Sequence, residues 1–80
     1  MVKYGDLNPT ILSGSYELCC YDAKAQEMIY LDDILRQEGL DRDIFDLCRV
    51  NHIYNDMGDL YVDIDINRAA QILKGYEVEI

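Results

Sequence analysis

The sequence predicts a small α+β domain, with an antiparallel or mixed sheet of about three or four strands and two or three short helices. Its 80 residues fit a single domain over residues 1–80. Half of the residues are hydrophobic, which is enough apolar surface for a core despite the high charge. The clearest pattern covers residues 59–66, where apolar side chains alternate with polar or charged ones, as in a half-buried strand.

The first part of the chain is expected to be an irregular leader over residues 1–14. This segment contains several turn-forming residues, namely Gly5, Asn8, Pro9, Ser13 and Gly14. Residues 15–21 then predict the first strand, with Tyr16, Leu18 and Cys20 on one face.

Residues 22–38 allow two interpretations, and the sequence leaves both open. In the first, Asp22 caps a helix that runs to Glu38, on which Asp32 forms an i,i+4 ion pair with Arg36. In the second, the second strand of a hairpin ends near Leu31, and the helix begins only at residue 32 or 33.

The remaining elements follow from caps, turns and periodicity. Gly39 is placed to end the preceding helix, and Asp41 to cap a second helix over 42–50. Residues 52–54 and 59–66 are expected to form a hairpin across the turn-forming residues 55–58. A third helix over 68–74 ends at Gly75, and 76–80 form a last strand. The predicted order is β-α-α-β-β-α-β.

Charge limits the possible partners. The chain carries 16 acidic and 7 basic side chains, for a net charge of −9. Direct binding of nucleic acid or of an anionic membrane requires the opposite sign, so the expected partner is a basic protein or nucleoprotein complex. The 3 cysteines, two of them adjacent, do not fit a disulfide framework and favour the cytoplasm. Without a long apolar run, no membrane span is predicted.

The sequence offers weak candidates for a metal site or a catalytic site. Residues 63–67 resemble the first half of a calcium loop, but Arg68 and Lys74 stand where that loop needs Gly and Glu. Cys48 and His52, with Cys19 and Cys20, suggest a zinc site or a thiol nucleophile with its base. Adjacent cysteines on a strand point to opposite faces, and no second motif supports either site. We therefore expect no metal, no cofactor and no enzymatic activity.

The strongest functional pattern is an acidic face on the predicted sheet. No Lys or Arg lies between Arg49 and Arg68, while several Asp residues do. Alternate residues of a strand lie about 6.7 Å apart on one face, so Asp63 and Asp65 would form an anionic row beside Tyr61. If residues 76–80 pair with this strand, they add a second row. The predicted partner-binding residues are Asp59, Tyr61, Asp63, Asp65, Glu77, Glu79, Tyr54 and Asp56.

In size, charge and Tyr content the chain resembles the anti-defence proteins of bacteriophages, including anti-CRISPR inhibitors. The resemblance is one of type, without a shared motif. It implies an inhibitor that mimics DNA and occupies a basic nucleic-acid-binding surface, in the host cytoplasm if a phage encodes it. The alternative is a regulatory or accessory protein, such as an antitoxin or small subunit, that binds through an apolar helical patch without mimicry. Homodimerisation through an edge strand is a further option.

Overall fold

A computed structural model of the chain describes residues 2–7 and 15–80. The helices are α1 (Tyr4–Leu7), α2 (Leu31–Glu38) and α3 (Ile66–Lys74), and a 3₁₀ helix covers Arg42–Phe45. The strands are β1 (Glu17–Asp22), β2 (Glu27–Tyr30), β3 (Val50–Asp56) and β4 (Asp59–Ile64). The predicted α+β class is confirmed. The order of the described elements is α-β-β-α-β-β-α, so the predicted order is wrong.

The strands form one mixed sheet of 4 strands in the order β2-β1-β4-β3. β1 runs antiparallel to β2 and parallel to β4, and β3 runs antiparallel to β4. In this register Cys19 of β1 lies between Tyr30 of β2 and Asp63 of β4. The central strands are therefore β1 and β4, and β2 and β3 form the edges.

The core lies on one face of this sheet. Strand alternation directs Leu18, Cys20, Val62 and Ile64 to that face, where all four are buried. The helical segments pack there with buried apolar side chains, namely Leu31, Leu35, Phe45, Ala69 and Leu73. The opposite face is covered by none of the described helices.

The hairpin interpretation of residues 22–38 is confirmed, and the long helix is wrong. Oδ1 of Asp22 accepts hydrogen bonds from the backbone N–H groups of Lys24 (3.0 Å) and Ala25 (3.3 Å). This local bonding stabilises a turn instead of a helix N-terminus. Gln26 adopts a left-handed conformation with φ 53° and completes the turn into β2. The helix begins at Leu31.

The predicted ion pair between Asp32 and Arg36 is also wrong. Arg36 contacts Asp33 at 3.4 Å, and Asp32 is instead bound by Arg42 at 2.7 Å. Asp32 lies on the less exposed side of the helix, where the guanidinium of Arg42 reaches it from the 3₁₀ helix. Gly39 does end the helix, in the left-handed conformation at φ 68°.

The predicted helix over 42–50 is reduced to a 3₁₀ helix that ends at Phe45. The N-terminal segment accounts for this difference, because it binds the backbone that a longer helix would use. The N–H of Tyr4 donates to the carbonyl of Cys48 (2.8 Å), and the N–H of Val50 donates to the carbonyl of Val2 (2.9 Å). β3 consequently starts at Val50.

The expectation of an irregular leader is wrong for residues 4–7, which form α1. Tyr4 is fully buried, and its hydroxyl is hydrogen-bonded to that of Tyr16. The N–H of Gly5 also donates to the carbonyl of Asp46 at 2.9 Å. These contacts anchor the segment to the domain. Residues 8–14 of the predicted leader lie outside the described residues.

The predicted strand over 76–80 is wrong. After Gly75 the chain turns, with Glu77 at φ 63°, and the N–H of Val78 donates to the carbonyl of Leu73 (3.0 Å). These bonds close the last turn of α3 and use backbone groups that a strand would need. Val78 folds back against the core instead of extending the sheet.

The preceding strand is shorter than predicted because Asp65 caps α3. Its Oδ2 accepts a hydrogen bond from the N–H of Arg68 at 3.0 Å. The helix therefore begins at Ile66, and β4 ends at Ile64.

Candidate functional site

The candidate site is the face of the sheet opposite the core, which we call the outer face. By strand alternation it presents Glu17, Cys19, Tyr21, Met28, Tyr30, His52, Tyr54, Asp56, Asp59, Tyr61 and Asp63. No described helix packs on this face. Tyr21 and Tyr30 are each 44% exposed and Tyr54 is 36% exposed. Exposed aromatic side chains of this kind are enriched where proteins bind one another.

Two tyrosines of the hairpin form a flat aromatic surface. Tyr54 and Tyr61 are directly paired across β3 and β4, and their rings stack with centroids 5.3 Å apart and planes 16° apart. The pKa of Tyr54 is raised, mainly by partial burial and further by Cys19 and Asp63. The pKa of Tyr61 is raised as well, by partial burial and then by Asp59. Both hydroxyls are therefore protonated at neutral pH and can donate hydrogen bonds.

The charge of the sheet has one sign. β1 to β4 contain no Lys or Arg, and all 7 basic residues of the chain lie outside the strands, at Lys3, Lys24, Arg36, Arg42, Arg49, Arg68 and Lys74. The parallel pairing of β1 and β4 brings Glu17 beside Tyr61. A groove of about 290 Å³ is lined by Glu17, Tyr30, Asp33, Asp59 and Tyr61. This combination of carboxylates and aromatic rings suits cationic side chains.

One carboxylate of the outer face is buried. Asp63 is only 6% exposed, and its Oδ2 lies 3.3 Å from Nδ1 of His52. Its Oδ1 is buried and has no hydrogen-bond partner. Cys19, beside it on β1, is fully buried and its thiol donates to the carbonyl of Val62 at 3.5 Å.

The structure brings together most of the predicted binding residues, but not all. Tyr54 pairs with Tyr61, and Asp56 pairs with Asp59 at the turn end of the hairpin. Asp63 shares this face, although it is buried and does not extend an exposed acidic row.

The other predicted residues do not lie on the outer face. Asp65 follows β4 and serves as the cap of α3. Glu77 and Glu79 lie in the segment after α3, so the predicted second acidic row does not form. Glu17, Tyr30 and Asp33 were not predicted as site residues; their nearness to Tyr61 depends on strand pairing that no local pattern encodes.

A second polar cluster joins β1, α2 and the 3₁₀ helix. Nε and Nη2 of Arg42 donate to Oδ1 and Oδ2 of Asp32 at 2.7 and 2.8 Å. Nη2 also donates to the carbonyl of Tyr16 at 2.9 Å, and the guanidinium lies over the Tyr16 ring, 4.0 Å from its centroid. Oδ2 of Asp32 further accepts from the N–H of Leu18 at 2.9 Å. Each charge here has its partner within the chain, which indicates a structural role.

The thiols and the imidazole do not assemble into a site. Cys48 is buried in the core, whereas His52 lies on the outer face. Cys19 and His52 are separated by β4, hence by roughly 9 to 10 Å. Among the described residues, no group of three His, Cys, Asp or Glu is arranged to hold a metal ion.

Burial also keeps these thiols protonated. It raises the pKa of Cys19 to about 12, helped by Asp63, and that of Cys20 to about 12. Burial likewise raises the pKa of Cys48 to about 11. A thiolate nucleophile would need a pKa shifted the other way.

We expect stability to fall at alkaline pH for this reason. The pKa of each thiol is higher in the folded state than in the unfolded chain, so the stabilisation is complete below about pH 9 and is lost as pH rises towards the folded values of about 12. At pH 10 the loss is about 1.5–2 kcal/mol per thiol. Urea unfolding under reducing conditions at pH 7 and pH 10 measures it. A Cys19→Ala variant should show a smaller loss, and an equal loss would contradict this origin.

Comparison with protein-family models, curated proteins and solved structures finds no match for this chain. Within residues 2–7 and 15–80, none of the helices has the length and apolar character needed to cross a membrane.

Proposed function

We propose that this protein is a binding module whose outer face docks onto a basic surface of another protein. The observation that carries the proposal is the sheet itself, which exposes tyrosines and carboxylates on a face that none of the described helices covers. Its strands contain no Lys or Arg. Tyrosine supplies contact area, and the carboxylates supply steering and orientation towards a cationic partner.

We further propose that the basic surface is one that normally binds nucleic acid, so the protein acts as an inhibitor by mimicry. A nucleic acid presents two recurring features, negative phosphates and flat stacked bases. The outer face presents carboxylates at Glu17, Asp56 and Asp59 next to the stacked rings of Tyr54 and Tyr61. The resemblance in type to phage anti-defence and anti-CRISPR proteins agrees with this function. The three reduced cysteines favour action in the cytoplasm.

The alternative, binding through an apolar helical patch, has less support. The apolar side chains of α2 and α3 pack against the core, with Leu31, Leu35, Ala69 and Leu73 buried and Ile34, Ile66 and Ile72 partly buried. The two functions differ in their response to salt, because screening weakens binding between charged surfaces and leaves apolar contacts largely unaffected.

The test begins with affinity purification at low and high salt, followed by mass spectrometry of the captured proteins. A captured protein supports the proposal if it binds nucleic acid, is released by salt and is displaced by duplex DNA. With that protein purified, Asp56→Lys combined with Asp59→Lys should weaken binding at least about tenfold, mainly through slower association.

The matched control is Glu77→Lys combined with Glu79→Lys. It makes the same change in net charge on the segment after α3, away from the sheet. Binding by this variant should change by less than about threefold, through the long-range field alone. Equal losses in the two double variants, or binding that ignores salt and DNA, would refute the proposal.

A further inference from the structure

We propose that Asp63 is the specificity-determining residue of the outer face and binds an arginine side chain of the partner. This inference deepens the proposed function and rests on it. Asp63 is the buried carboxylate at the middle of the face, with Cys19 beside it on one strand and His52 on the other. The occupant is identified by chemistry alone, as a planar guanidinium that completes the bonding of this carboxylate.

The first observation is an unused acceptor. Oδ2 of Asp63 is near Nδ1 of His52 at 3.3 Å, whereas the buried Oδ1 has no hydrogen-bond partner. Burying a carboxylate oxygen without a donor is costly, and buried charges in proteins are normally paired. The neighbouring Cys19 thiol does not supply the donor, because it donates to the carbonyl of Val62.

The second observation is that the chain places no strong cation there. All of its Lys and Arg residues lie outside the strands, and among the described residues Asp63 has an ion-pair contact only with His52. The side chain of His52 is 75% exposed and stands at the rim, so it can move aside without disturbing the core. A cation that reaches Oδ1 must therefore come from another molecule.

The third observation is that this chain already builds the proposed contact elsewhere. In the second polar cluster, Arg42 binds both oxygens of Asp32 and lies over the ring of Tyr16. On the outer face a carboxylate and tyrosine rings occur again, with Asp63 next to Tyr54, but the arginine is missing. The outer face thus has two of the three parts of that contact, the carboxylate and the tyrosine ring, and lacks the arginine.

The geometry favours arginine over lysine. A guanidinium can stack on a flat ring and donate two parallel hydrogen bonds in the same pose, whereas an ammonium is a compact, strongly hydrated charge. The stacked pair of Tyr54 and Tyr61 provides the flat surface beside the carboxylate. Removing the water from a guanidinium also costs less, which matters at a site that is largely buried.

The test uses the full chain and a short peptide probe with one central arginine, acetyl-Gly-Arg-Gly-amide. Two matched probes replace the arginine by lysine or by citrulline, which has nearly the same shape without the charge. Binding is followed by NMR titration of the ¹⁵N-labelled protein. We expect the largest shifts at the amides of Cys19, His52, Tyr54 and Asp63. The arginine probe should bind at least about fivefold more tightly than the lysine probe, and the citrulline probe should not saturate.

Two variants separate the site from the general field. Asp63→Asn keeps the shape of the side chain and removes its charge, and it should weaken binding of the arginine probe at least about tenfold. Glu79→Gln removes the same charge from an exposed position in the segment after α3, and should weaken binding of the arginine probe less than about threefold. Equal losses in both variants, or equal binding of arginine and lysine, would overturn the proposal.

His52→Ala provides a second measurement that does not alter Asp63. Since His52 competes for this carboxylate, its removal should leave arginine binding unchanged or tighter. Loss of binding in His52→Ala would assign the site to the imidazole and overturn the inference. Melting curves of the variants show whether each is folded, and Asp63→Asn is expected to melt no lower than the original chain.

Failure of this inference is distinguishable from failure of the proposed function. If Asp56→Lys with Asp59→Lys abolishes partner binding while Asp63→Asn binds the partner normally, the face is the binding site and the assignment of an arginine contact to Asp63 is wrong. If the protein instead forms dimers that Asp63→Asn disrupts, the occupant is an arginine of a second copy, and the proposal of a foreign partner is wrong. Sedimentation of the chain over a range of concentrations detects that outcome.

Discussion

Asp32→Ala should lower the free energy of unfolding by about 2–4 kcal/mol. The side chain of Asp32 is only 12% exposed, and its two oxygens accept hydrogen bonds from Arg42 and from the backbone N–H of Leu18. Its removal leaves a guanidinium without its counter-ion and a strand N–H without an acceptor. A domain of this length has a total stability of roughly 4–12 kcal/mol, so the loss is a large fraction. Urea unfolding monitored by circular dichroism measures it.

The neighbouring residue provides the matched control. Asp33 carries the same charge on the same helix, and its pair with Arg36 is exposed on both sides, at 67% and 76%. Exposed pairs contribute little, so Asp33→Ala should change stability by less than about 0.5 kcal/mol. The loss of stability in Asp32→Asn should fall between those of Asp32→Ala and Asp33→Ala, because the amide oxygen can still accept a hydrogen bond from the N–H of Leu18. Similar losses for Asp32→Ala and Asp33→Ala would contradict a special role of the cluster.

The parts of the fold that sequence predicts correctly are those determined by local chemistry. The hairpin of β3 and β4 follows from strict alternation at Leu60, Val62 and Ile64 and from the turn at Met57 and Gly58. The end of α2 follows from Gly39, whose left-handed conformation is the one that glycine favours. Each of these features depends on residues within a few positions of one another.

The errors arise where another segment, distant or adjacent, binds the backbone that the local pattern assigns to a helix or strand. Residues 46–50 have helical character, but the segment at Val2 to Tyr4 binds the backbone of Cys48 and Val50 and limits the helix. The alternation at 76–80 resembles a strand, yet the helix end at Leu73 takes up the backbone of Val78. In neither case does the sequence of the altered segment indicate that another segment binds its backbone.

In the candidate site, too, some features follow from local sequence and others depend on distant strand pairing. The pairing of Tyr54 with Tyr61 was predictable, since both lie on one hairpin. The addition of Glu17 requires the parallel pairing of β1 with β4, which are separated in sequence by nearly half of the chain. The burial of Asp63 was unpredictable as well, because alternation indicates which face a residue lies on and does not indicate how its neighbours cover it.

Tyr61→Ala should weaken partner binding about 30-fold, which is close to 2 kcal/mol and typical of an aromatic residue at the centre of an interface. Tyr61 lies at the centre of the outer face, with Glu17 on one side and Tyr54 on the other. Its loss removes contact area from the partner and also unstacks Tyr54, which then loses its fixed orientation. Unstacking should cost the fold only about 0.5–1.5 kcal/mol, so the variant remains folded. Titration calorimetry with the purified partner measures the affinity.

Two further variants determine what Tyr61 contributes. Tyr61→Phe keeps the ring and its stack, so a loss below about fivefold would assign the binding energy to the ring, and a loss near that of Tyr61→Ala would assign it to a hydrogen bond from the hydroxyl. Tyr76→Ala is the matched control, because Tyr76 is 49% exposed and lies after α3, away from the sheet. It should leave affinity unchanged. If Tyr76→Ala weakens binding as much as Tyr61→Ala, the partner does not dock on the outer face, since these two tyrosines have the same chemistry and differ in the surface that carries them.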